Sequence, residues 1–350
     1  MVAGLTAAVD RSAALGSRGA PPFGGFRVLG SWLQRLVCAL GPVLVLALAL
    51  PAGAQPVSVW DDEGQLVSLA APAQRIVSLA PHTTELLYAA GAGARIVGTV
   101  RHADYPEAAR QLPLVGDALG LDIERIAALR PDLIVVWSHG NPAAQIERLR
   151  ALNVPIFRSE PKRLSEIGSS LQRLGLLAGT GPAGLAAARA FGAELARLRA
   201  GYSQRPAVRV FYQVWQRPLM TVNRQHLIND VIELCGGVNV FAGLAPLVPV
   251  VDREAVLAAH PQVLVYAGQA GEGEDPLLAW QGLRAFEPLA RRQLIALPGD
   301  LISRQAPRIL QAADRLCSGL QQVRDQAGRL AGALGAPTAG SVAAGALDLH

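Results

Sequence analysis

The stretch Leu121–Trp137, "LDIERIAALRPDLIVVW", decides the fold, because a second stretch, Val251–Gly268, "VDREAVLAAHPQVLVYAG", repeats its grammar later in the chain. In each copy a Glu, Glu124 or Glu254, stands seven residues before a Pro, with mainly apolar residues between them. Asp122 and Asp252, two residues ahead of each Glu, are side chains that cap helix N-termini. A carboxylate in the first turn is favoured by the helix dipole. Pro131 and Pro261 close the helices. The runs that follow, "LIVVW" and "VLVYA", lack polar alternation, which marks strands covered on both faces.

Outward from this pair the alternation holds. "RIVSLA", "RIVGTV" and "PIFRSE" read as strands; "TTELLYAAGA", "PAAQIERLRAL" and "LSEIGSSLQRLGLLAG" read as helices. It breaks at Pro182–Arg199, an alanine-rich stretch with helical spacing and no strand signal. It resumes with "RVFYQV", "HLINDVIELCGG", "PLLAWQGL", "LIALPG" and a final helix from about Pro307 to Leu330. The expected class is α/β: two lobes with parallel sheets covered by helices, joined by a single long helix, with a ligand cleft between them. The expected boundaries are 55–180 for the first lobe, 181–204 for the linker helix, 205–330 for the second lobe and 331–350 for a disordered tail rich in small residues. A lone helical connection, each turn held by its own hydrogen bonds, should act as a rigid strut.

The net charge of +5 is distorted by residues 1–54, which hold four Arg against one Asp. The rest carries 28 basic and 26 acidic residues, too even a balance to suggest nucleic acid. Arg35 precedes an apolar run that ends in Ala52-Gly53-Ala54, the pattern of a signal peptide over 1–54 cleaved near Ala54. A membrane anchor is the alternative, but the apolar run from Leu36 to Leu50 falls short of about 20 residues. An export signal places the mature chain in the periplasm, where Cys235 and Cys317 form an even pair. A disulfide between them is the favoured reading and two buried free thiols the alternative. No His cluster accompanies them, so no metal site is expected.

Taken together, "RIVSLAPHTTELLYAAGA", "DYPEAAR", "LDIERIAALRPDLIVVW", "VIELCGGVNVF", "VDREAVLAAHPQVLVYAG" and "APRIL" resemble the cobalamin-binding branch of the periplasmic substrate-binding proteins of the helical-backbone class. Other members of that class take haem or ferric siderophores. The resemblance covers about Arg75 to Gln322. It implies a protein that captures a corrinoid between two lobes and delivers it to the permease dimer of an ABC importer, the cobalamin being cargo rather than cofactor. It implies that Glu124 and Glu254 dock onto permease arginines; taken alone, the two carboxylates read as solvated helix charges. The cleft positions it implies are Pro81, His82, His102, Tyr105, Trp137, Trp215, Val248, Asp300 and Arg304. Here the chain departs from the cobalamin binders at Ala118, His102 and Val248, where those carry aromatics. Trp137 can also be read as core, at the end of its apolar strand, and His102 as a solvated loop residue. A monomer is expected.

A haem or ferric-siderophore binder of the same architecture is the nearest alternative, with Tyr105 or His102 as an iron ligand. An exported hydrolase is a weaker one. The chain has no G-x-S-x-G, H-E-x-x-H, P-loop or dinucleotide fingerprint, so no catalytic residue is assigned.

Overall fold

Two four-stranded sheets of identical topology carry the chain. The computed structural model describes residues 55–117, 120–268, 275–283 and 286–335. The expected export signal over 1–54, Ala118 and positions 336–350 of the tail lie outside the described residues.

The chain enters through a hairpin that the strand-and-helix alternation did not signal, β1 (Val57–Trp60) paired antiparallel with β2 (Leu66–Leu69). The first sheet follows: β3 (Ile76–Ser78), β4 (Ile96–Gly98), β5 (Leu133–Trp137) and β6 (Ile156–Ser159), in the order β4-β3-β5-β6 and parallel throughout. Its helices are α1 (Pro81–Ala89), α2 (Ile123–Ala128), α3 (Ala143–Arg150) and α4 (Leu164–Leu177). After α5 (Gly181–Tyr202) the same plan recurs. β7 (Val208–Gln213) leads into a short hairpin, β8 (Trp215–Gln216) with β9 (Leu219–Met220), then α6 (Leu227–Leu234) and β10 (Gly237–Asn239). Next come α7 (Arg253–Ala258), β11 (Val263–Ala267), α8 (Glu287–Ala290), β12 (Leu294–Leu297), α9 (Gly299–Ile302) and α10 (Ile309–Gly335). The second sheet runs β10-β7-β11-β12, again all parallel. The stretch "PLLAWQGL" forms only a one-turn 3-10 segment, Leu278–Trp280, because Trp280 turns fully inward to stack on Phe286.

The two quoted stretches build the same local structure. The Asp122 carboxylate accepts from the Arg125 amide at 2.9 Å, and the Asp252 carboxylate accepts from the Ala255 amide at 2.6 Å. Both helices end at a residue in the left-handed region, Arg130 at φ 45° and His260 at φ 44°, just before the proline. In each lobe an Arg from the neighbouring strand region, Arg75 or Arg209, donates to the carbonyls left open at that helix end. β5 and β11 are buried along most of their length, as their unbroken apolar sequences require.

The linker is not a free-standing rod. α5 packs along α4, and the two approach so closely that a Cβ on Gly184 would lie 2.6 Å from the Leu171 carbonyl oxygen. Phe191, Leu195 and Leu198 of α5 join a buried cluster that includes Leu133 and Val135 of β5 and also Val210 of β7 and Val263 of β11. One continuous apolar cluster therefore underlies both sheets and resists their separation, since parting them would expose apolar surface to water.

Cys235, just past α6, is bonded to Cys317 in α10, with both residues fully buried. The bridge spans 82 residues of sequence. A crosslink over that length removes enough chain entropy from the unfolded state to stabilise the fold by about 4 kcal/mol. Replacing both cysteines with Ser should lower the denaturant-unfolding free energy by about that amount while leaving the far-ultraviolet circular dichroism unchanged. Thiol alkylation of the denatured, unreduced wild type should label neither residue.

Candidate functional site: a cleft at the carboxyl ends of both sheets

Each sheet ends its strands at a shared cavity of about 490 Å³. From the first lobe come Trp137, the last residue of β5, and Pro81 and His82, the first residues of the helix after β3. From the second come Ala267 and Gly268 at the end of β11, and Gly299, Asp300, Ser303 and Arg304 around α9. Trp137 and Ala267 occupy corresponding positions in the two copies. Open parallel sheets leave backbone groups and loops exposed only at their strand ends, so a polar site is built there.

The indole of Trp137 is fixed from beneath. The turn after β5 brings Gly140 against it so closely that a Cβ would fall 1.8 Å from a ring carbon; only glycine permits the approach. Asn141, buried in that turn, accepts from the Trp137 amide at 2.8 Å and donates to the Leu79 carbonyl at 2.9 Å, tying the end of β5 to the segment after β3. His82 meets the indole edge-on, with ring centroids 5.4 Å apart. Trp137 Nε1 and His82 Nε2 are both buried without a hydrogen-bond partner among the described residues. Burial, and then the charge of Arg304, push the His82 pKa down to about 3, so its ring is neutral at pH 7.

The floor of the cavity is ionic. Glu85 of α1, its side chain 2 % exposed, accepts from Arg304 Nη1 at 2.8 Å and from Arg308 Nε and Nη2 at 2.9 and 2.7 Å. Arg304 also pairs with Asp104 at 2.8 Å and donates to the His102 carbonyl at 3.0 Å. Arg308 donates to Asp300 at 3.0 Å and lies 3.8 Å above the ring of Tyr105. Burial, the largest single effect, would raise the Asp104 carboxyl, but the hydrogen bond and charge of Arg304, with smaller help from a backbone hydrogen bond and the charge of Arg110, together hold the group below its ordinary value. The hydrogen bond to Glu85 likewise raises Arg308 against the opposing effect of burial. The network joins residues 219 and 223 positions apart and so crosses from one lobe to the other.

Of the positions expected from sequence, Pro81, His82, His102, Trp137, Asp300 and Arg304 line this cavity, and Tyr105 lies beneath it under Arg308. Trp215 and Val248 do not line it. Trp215 is 55 % exposed on the β8–β9 hairpin, where its Nε1 donates to the Arg217 carbonyl at 3.0 Å. Val248 lies half-buried in the loop that runs alongside β9. Glu124 and Glu254 are exposed at the corresponding helix starts, and neither carboxylate has a partner among the described residues. Sequence reasoning missed Glu85 and Arg308. The signal available was a lone Glu inside the otherwise uncharged run "TTELLYAA", where a buried charge demands a partner.

Comparison with known proteins places this architecture. Residues 76–301 match the periplasmic binding protein family, and the chain belongs to that family. It is 36% identical over 255 residues to the vitamin B12-binding protein of Vibrio cholerae, covering 73% of this chain and 92% of that one. The crystal structure of the periplasmic vitamin B12 binding protein BtuF of Vibrio cholerae superposes with a TM-score of 0.67, covering 72% of this chain and 98% of that chain. The periplasmic heme-binding protein RhuT from Roseiflexus sp. RS-1 is 27% identical with a TM-score of 0.64, over 71% and 98% of the two chains.

The neutral His82 has a stability consequence. In the unfolded chain an imidazole binds a proton below about pH 6.5, whereas His82 in the fold stays neutral down to about pH 3. The unfolded state therefore takes up the extra proton, and stability falls as pH drops between these values. His226, half-buried at the start of α6 with its pKa lowered by desolvation to about 4, acts in the same direction. Urea unfolding measured from pH 7 to pH 4 should show a steep loss in the wild type and a visibly shallower one in His82→Asn.

Proposed function

We propose that this chain is an exported substrate-binding protein that captures a corrinoid, cobalamin in the first instance, in the cleft and delivers it to the permease of an ABC importer. The observation that carries the reading is the cleft itself, with a fixed tryptophan on one wall and Asp300 with Arg304 on the other. A corrin offers broad apolar faces and a rim of neutral amides, which ask for an aromatic surface and for mixed donors and acceptors. The likeness to vitamin B12-binding proteins supports that choice of ligand. Residues 1–54 are read as the signal peptide, which puts the mature protein in the periplasm as a monomer. The lobes are read as 55–180 and 205–330 on either side of a linker at 181–204.

Docking is assigned to Glu124 and Glu254. Two exposed carboxylates at corresponding places in a duplicated fold suit a two-fold permease, each accepting charge-assisted bonds from Arg. Their side chains are uncommitted, so nothing in the fold competes for them. His102 and Tyr105 are assigned to the ligand surface at the cavity, and Trp215 and Val248 to its wider rim.

Haem is the second reading, favoured by the likeness to RhuT and by His102 and Tyr105 beside the cavity. Absorption spectra of the purified protein, then titration with cyanocobalamin and with haemin, decide between them. Corrin bands and saturable cobalamin binding are expected; saturable haemin binding with no response to cobalamin would overturn the corrinoid reading. Trp137→Ala should weaken cobalamin binding by about 1–3 kcal/mol, the range for a buried large side chain. The double variant Glu124→Ala/Glu254→Ala should bind cobalamin like the wild type yet fail to support uptake in a reconstituted importer. Uptake at the wild-type rate would refute the docking assignment.

A further inference from the structure

We propose that Glu85 is a positioning residue that sets the charge preference of the cleft, occupying the arginines so that the cavity selects uncharged, amide-bearing ligands and rejects anionic ones. The inference rests on the reading of this cavity as a ligand cleft.

Arg304 is the only Arg or Lys lining the cavity among the described residues. Its guanidinium already holds two carboxylates, Glu85 and Asp104, and the His102 carbonyl. Arg308, directly behind, holds Glu85 in a two-pronged contact and also Asp300. Three carboxylates thus face two guanidinium groups, a formal excess of one negative charge beside the cavity. The pairs are largely shielded from water, with both arginine side chains under 15 % exposed and Glu85 at 2 %. At such sites charge interactions are screened weakly. A ligand carboxylate entering here would be desolvated, would find no uncommitted cation and would meet Asp104 and Asp300. Rejection of a wrong partner through an uncompensated charge is a recognised route to specificity. A neutral amide, by contrast, can donate to Asp300 or Asp104 and displaces no ion pair.

Glu85 touches no ligand in this scheme; it acts through the arginines. Its removal, which would expose the arginine charge, should therefore change which ligands bind as well as how firmly the fold holds. Glu85→Gln keeps the shape of the side chain and brings the cluster to formal neutrality. Asp104→Asn/Asp300→Asn leaves the buried Glu85 contact intact, alters two partly exposed side chains, and brings the cluster to an excess of one positive charge. This second variant keeps the test available should the first fail to fold.

The probes are mesoporphyrin IX with free propionates and its bis-amide, which share one ring and differ in charge, titrated at pH 8 so that ordinary imidazoles are neutral. The wild type should prefer the bis-amide at least tenfold. Glu85→Gln should cut that preference at least fivefold, and Asp104→Asn/Asp300→Asn should cut it further or reverse it. A loss of packing alone would weaken both probes together and leave their ratio unmoved. A ring-free readout accompanies these: inorganic pyrophosphate should raise the melting temperature of the double variant and not that of the wild type. The inference is overturned by a wild-type preference for the dicarboxylate, by ratios within twofold in wild type and variants, or by pyrophosphate acting alike on all. Cyanocobalamin titration is run separately. Its failure would remove the corrinoid reading, while the porphyrin ratio and the pyrophosphate shift would still report on Glu85.

Discussion

Burying a parallel sheet on both faces leaves little of it open to water except the ends of its strands, and the rest of this molecule depends on that constraint. β3, β5, β7 and β11 are buried along most of their length, so little polar chemistry can be placed along them. It is displaced to the carboxyl ends, where the first turn of α1, the end of β5 and the short α9 converge. Because the lobe is built twice on one plan, two such ends exist, and the cavity lies where they meet. The duplication also gives the chain two corresponding exposed helix starts, each with a capping Asp and an uncommitted Glu.

Two kinds of contact join the lobes, and they differ in what they tolerate. The apolar cluster that runs from β5 through α5 to β7 and β11 is non-directional and rewards closeness alone. The ionic contact of Glu85 with Arg304 and Arg308 is directional. A charge taken out of water must be met by a partner at hydrogen-bond distance or cost several kcal/mol. The first favours keeping the lobes together. The second favours a particular relation between them, because a small shift would leave a buried carboxylate without its guanidinium. Both suit a cleft whose walls stand ready before a ligand arrives.

The walls themselves divide the labour. On the side of the first lobe, an indole held by Gly140 and Asn141 and edged by a neutral imidazole offers flat, weakly polar surface. On the side of the second, Asp300 and Arg304 offer polar groups whose charges are already committed, Arg304 to Glu85 and Asp104 and Asp300 to Arg308. Such a site answers to shape and to hydrogen bonding, and among the described residues it leaves no uncommitted cation for an anionic ligand.

The sequence by itself determined the class of the fold, the duplication, the single helical connection and the pairing of Cys235 with Cys317. Each of these depends on local pattern or on counting: strand runs without alternation, an Asp cap before a Glu, an alanine-rich break, an even pair of cysteines. The entry hairpin escaped notice because its two strands follow one another antiparallel with no helix between them, outside the strand-and-helix alternation that signalled the rest. At the cleft, Pro81, His82, Trp137, Asp300 and Arg304 were reached by resemblance, and no spacing in the chain would have brought Asp300 to Trp137. Only the tertiary structure decided that Trp215 lies out on a hairpin and that Trp280 is core. It alone paired Glu85 with arginines more than two hundred residues away, because a charge inside an apolar helix announces that it needs a partner but says nothing of where the fold will supply one.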